Sequence, residues 1–82
     1  MLLHEFKYQE KQKKTRLLLD YGTYLASRFT KGYQLLLFAV DSFYVEVHYD
    51  IEHELLSYFK AFSGDDELEP YLSQIDLSPL SL

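Results

Sequence analysis

Phe43-Tyr44-Val45-Glu46-Val47-His48-Tyr49-Asp50 is the stretch on which the reading of the fold turns. Phe43, Val45, Val47 and Tyr49 alternate with Tyr44, Glu46, His48 and Asp50 at period two, the spacing at which side chains leave a β-strand on opposite faces. The alternation predicts a strand with one face turned to a core and the other to water. Such a strand needs neighbours, because a two-stranded ribbon is marginal in water.

Working backwards, Asp41-Ser42 forms a compact turn, and Tyr33 to Val40 supplies a second strand. Thr30-Lys31-Gly32 links that strand to Tyr24 through Phe29, with Gly32 able to take the left-handed conformation that closes a hairpin. Tyr21, Leu25 and Phe29 also recur at helical spacing, but the change of vocabulary to Tyr, Thr, Phe and Leu favours a strand. Downstream, Ile51, Leu55, Tyr58, Phe59 and Phe62 fit a helix with Asp50 as N-cap and Gly64 as stop. The need for a further strand to close the sheet decides for a strand from Leu55 to Phe62.

The flanks read as helical. His4 to Tyr21 is rich in Glu, Lys, Gln, Arg and Leu and is free of Gly and Pro, which predicts one helix ending at Gly22. Leu17, Leu18 and Tyr21 give it an apolar face, whereas Gln9 to Lys14 has no apolar residue, so its amino-terminal half is expected to project. After the Ser63-Gly64-Asp65-Asp66 turn, a short acidic helix capped by Asp65 or Asp66 is expected to begin near Glu67, with Pro70 in its first turn and Leu68, Tyr71, Leu72 and Ile75 on one face. Residues 77–82 are expected to lie on the surface or fray. The sum is a single α+β domain over residues 1–82: an N-terminal helix whose first sixteen residues are basic, an antiparallel meander of three to four strands, and a short C-terminal helix.

Gly22-Thr23-Tyr24-Leu25-Ala26 with Arg28, then Phe43-Tyr44-Val45-Glu46-Val47 and Tyr49-Asp50, resembles a pattern in small bacterial proteins of helix-plus-antiparallel-meander type. The resemblance spans about a third of the chain and contains no catalytic motif. It implies the meander and a bacterial origin, and no activity.

Composition narrows the function classes. Of 82 residues, 48% are hydrophobic and 26% charged, which places the chain among globular proteins rather than disordered ones. The absence of cysteine excludes disulfides, thiolate zinc sites and cysteine nucleophiles. The longest strictly apolar run, Leu35 to Val40, is far below the roughly 18–20 residues of a membrane span. With no apolar export segment in Met1 to Lys7, these features lead us to expect a cytoplasmic protein with no membrane contact.

Residues 1–16 hold five basic and two acidic side chains, against three and eleven in residues 17–82. The overall net charge of −5 argues against broad phosphate-backbone binding. Nucleic-acid or adaptor binding through the basic helix residues Lys7, Lys11 and Lys14 therefore stands as the alternative reading.

Chemistry-bearing patterns are sparse. Tyr44, Glu46, His48 and Asp50 share one strand face, but residues two apart on a strand stand roughly 6.5–7 Å apart, so at most two neighbours could share one ion. A solvated sheet face is the reading we adopt, with no metal and no cofactor. His4 and His53 read as surface histidines. Single glycines at 22, 32 and 64 form no phosphate loop, and no serine sits in a nucleophile elbow, so no catalytic residue is assigned and no enzyme is expected.

Eight tyrosines and six phenylalanines exceed what so small a core hides, and tyrosine suits surfaces that are apolar yet hydrogen-bonding. The expectation is a small protein–protein interaction module that pairs with itself or with another protein. Self-association is expected through an aromatic sheet face, with contact residues Tyr24, Tyr33, Tyr44, Glu46, His48 and Tyr58 on the sheet and Lys7, Lys11 and Lys14 of the basic half-helix as a second, electrostatic contact.

Overall fold

A computed structural model describes residues 1–64 and 66–71. Its elements run α1 (Leu3–Lys7), α2 (Lys11–Tyr21), β1 (Gly22–Thr30), β2 (Tyr33–Val40), β3 (Phe43–Asp50), β4 (Leu55–Phe62) and a C-terminal 3-10 turn (Asp66–Tyr71). The four strands form one antiparallel sheet in the order β1-β2-β3-β4. This is the expected α+β meander, with both ambiguous segments resolved as strands.

Turn chemistry sets the register. Lys31 and Gly32 both take positive φ, +34° and +89°, so Thr30 pairs with Tyr33 across a two-residue hairpin of the kind whose twist matches the strands. The Ile51 amide donates to the Gly32 carbonyl at 3.0 Å and ties this turn to the β3–β4 connection.

Each edge strand contains one extra residue. Tyr24 pairs with Phe38 but Ala26 with Leu37, so Leu25 bulges from β1. Tyr49 pairs with Leu56 but His48 with Tyr58, so Ser57 bulges from β4, its hydroxyl donating to the His48 carbonyl at 3.3 Å.

The helical flank departs from the single expected helix. It breaks after Lys7, with Tyr8 as C-cap, and restarts at Lys11. A straight helix would hold Phe6 and Leu18 about 18 Å apart along its axis at 1.5 Å per residue. The break lets both enter one cluster with Val40, Phe43, Val45, Val47 and Phe59. Phe6 is completely buried, its ring 5.9 Å from that of Phe43, so the amino-terminal half packs on the sheet instead of projecting.

Gly22 ends α2 for a steric reason. Its backbone is extended, and a Cβ there would lie 2.6 Å from the Leu18 carbonyl oxygen. Glycine alone lets the chain pass directly from helix into strand.

The far face of the sheet is also partly a core, which corrects the expectation that Tyr44, Glu46, His48 and Asp50 all face water. Ala26, Leu37 and Phe62 pack there against Leu68 and Tyr71 of the C-terminal 3-10 turn. Burial on both faces explains why Leu35 to Val40 is apolar without alternation. In a 3-10 helix residues i and i+3 eclipse, so Leu68 and Tyr71 point together into this core around Pro70. The expected helix partners Leu72 and Ile75, and the tail 77–82, lie outside the described residues. Among the described residues no helix is long and apolar enough to cross a membrane.

Candidate functional site

On the far face the most polar cluster is built round Glu46, which is only 7% exposed. The Tyr71 hydroxyl donates to its Oε2 at 2.5 Å, and His48 Nε2 lies 3.0 Å from its Oε1. A carboxylate only accepts, so His48 donates through Nε2. Arg28 Nη2 stands 3.7 Å from Glu46 Oε2 and supplies the countercharge, while its guanidinium lies over the Tyr71 ring, 5.4 Å from the centroid. Both carboxylate oxygens are therefore engaged within the fold. The cluster's geometry is that of a clasp fastening the C-terminal turn to β3.

Burial first, and the Glu46 carboxylate next, push the Tyr71 phenol above its ordinary value, with Arg28 opposing. At the end of β3, Asp50 Oδ1 accepts the His53 amide at 3.1 Å and its Oδ2 lies 2.9 Å from His53 Nδ1. These bonds, the amide foremost, hold the Asp50 carboxyl below its ordinary range. His53 thus serves the turn.

The remaining expected contact residues divide between the faces. Tyr33 and Tyr58 flank His48 edge-on, with centroids 6.4 and 5.2 Å away, and Tyr44 stacks on Phe62 at 5.7 Å. All three rings are on the far face with Glu46 and His48. Tyr24 is on the opposite, helix-bearing face, set edge-on to Phe38 at 5.8 Å, because the bulge at Leu25 reverses the parity of β1. Lys7 and Lys11 are exposed, but the Lys14 ammonium sits 5.7 Å over the Phe6 ring and 6.0 Å over that of Phe59. Lys14 is thus partly engaged within the fold, unlike Lys7 and Lys11.

The helix-bearing face also contains residues that the sequence reading passed over. α2 covers only part of that face and leaves a groove of about 130 Å³ lined by Thr15, Leu18, Leu19, Leu36, Phe38, Val47, Leu56 and Phe59. Leu19 in this lining is 76% exposed, and Tyr24 and Phe29, on the same face of β1, are 54 and 70% exposed. Leu19 and Phe29 were legible as apolar residues, but their shared face depends on a bulge and a helix crossing that no periodicity encodes.

No protein family, no curated protein and no solved structure matches this chain.

Proposed function

We propose that the protein is a small cytoplasmic interaction module that pairs with itself through the apolar strip on its helix-bearing face. The observation that carries this reading is the apolar content of that face: Leu19 stands exposed in a groove whose lining is almost wholly apolar, and Tyr24 and Phe29 of β1 are exposed on the same face. Exposed apolar residues gathered on one face mark contact sites on small domains. The aromatic rows of the far face fit the role less well, since Tyr33 and Tyr58 there border His48, Asp50 and Lys60, and the C-terminal turn covers the centre. The bulges in β1 and β4 blunt both sheet edges, which favours pairing by a face over pairing by strand addition. The lack of cysteine supports the compartment.

Sedimentation equilibrium of the wild type and of Phe29→Glu tests the proposal. Concentration-dependent dimerisation that Phe29→Glu removes supports it. A wild type that stays monomeric throughout refutes self-pairing. Association that survives Phe29→Glu and dissolves steeply with salt would transfer the contact to charged residues.

A further inference from the structure

The charge order of α2 runs against its own dipole. Lys11, Lys13, Lys14 and Arg16 crowd its N-terminal half and Asp20 stands in its last turn, whereas a helix favours acids at its N-terminus and bases at its C-terminus. Lys14 is accounted for by the Phe6 and Phe59 rings. Arg16 and Asp20 are bound to each other only loosely, at 3.4 Å with three-quarters and half of their side chains exposed. Leu19 adjoins both on the helix surface and forms a wall of the apolar groove.

An antiparallel second helix would reverse the penalty. It would set each basic N-terminal half beside a negative C-terminal end, with Arg16 and Asp20, one turn apart, matched to the same two residues in opposite order. A two-fold contact has this self-complementarity by construction, since residue i meets j and j meets i. The area is also suitable: Leu19, Tyr24 and Phe29 expose on the order of 400 Å², taking roughly 150–250 Å² for a buried ring. That is about half of the roughly 800 Å² per side in a standard interface, leaving the polar side of α2 as the rim.

We infer that the surface is occupied by a second copy of this chain, docked through antiparallel α2 helices. Leu19 of each protomer lies over the other's strip, and Arg16 pairs with the partner's Asp20. This inference rests on the self-pairing reading above and specifies its geometry.

Arg16→Asp and Asp20→Arg, purified separately and then mixed in equal amounts, test it by sedimentation velocity. Each variant alone is expected to dimerise at least tenfold more weakly than wild type, because like charges then face each other. The mixture is expected to recover the dimer, because every pair across the interface is again opposite in sign. Both side chains are exposed, so neither change removes a core contact, and recovery in the mixture would itself show that both variants are folded. If wild type and both variants dimerise equally, the α2 geometry is overturned while self-pairing stands. If wild type is monomeric at every concentration, both fall.

Discussion

Tyr71 fastens the end of the described chain to the sheet through one hydrogen bond to a buried carboxylate. A bond to a charged partner contributes about 1.5–3 kcal/mol, so Tyr71→Phe should lower unfolding stability by about 2 kcal/mol in urea titrations. The pH dependence follows from the raised phenol. Folded Tyr71 stays protonated where an unfolded tyrosine ionises, so its contribution is whole below about pH 10 and is lost as pH rises beyond that value. Wild type should therefore lose stability above pH 10 more steeply than Tyr71→Phe, and parallel alkaline denaturation curves would contradict the assignment. Gly22 makes a separate residue-level prediction. Gly22→Ala places a methyl against the Leu18 carbonyl and should cost about 1–3 kcal/mol in the same titration, as other overpacking changes do.

At the scale of elements, α1 depends on Phe6, its one buried side chain. Phe6→Ala should cost about 3–5 kcal/mol. Hydrogen exchange should then show α1 amides unprotected while the β2 and β3 amides remain the slowest. Equal loss of protection across the whole sheet would mean that α1 is part of the central folding unit. The strands were largely legible in the sequence: alternation in Phe43 to Asp50 and turn residues at Lys31-Gly32 and Asp41-Ser42 place three of them, and the need to close the sheet placed β4. The break between α1 and α2 was not legible, since Tyr8 to Glu10 contains no Gly or Pro and the cause is the distant demand of Phe43 for Phe6. Glu46 likewise reads locally as a solvent-facing residue, and it is buried because Tyr71, twenty-five residues on, returns to cover it. The candidate site was least legible, because the bulge at Leu25 moves Tyr24 away from Tyr33, Tyr44 and Tyr58.

For the whole molecule, the distribution of apolar surface ranks the readings. A sheet buried in part on both faces by two short helices and one 3-10 turn leaves Tyr24 and Phe29 exposed on its helix-bearing face, with Leu19 of α2 exposed there as well. Basic residues gather in the first half of α2, but the chain's net charge of −5 opposes broad phosphate-backbone binding. Raising salt should accordingly weaken self-association modestly through Arg16 and Asp20 without abolishing it, because apolar packing is insensitive to screening. The central claim is that the strip of Leu19, Tyr24 and Phe29 is where this chain meets its own copy. The most direct measurement is the solution mass of wild type beside Phe29→Glu over a wide range of concentration. The account predicts a mass rising towards twice 9.8 kDa for wild type and holding at 9.8 kDa for Phe29→Glu. Identical masses for the two proteins at every concentration would contradict it.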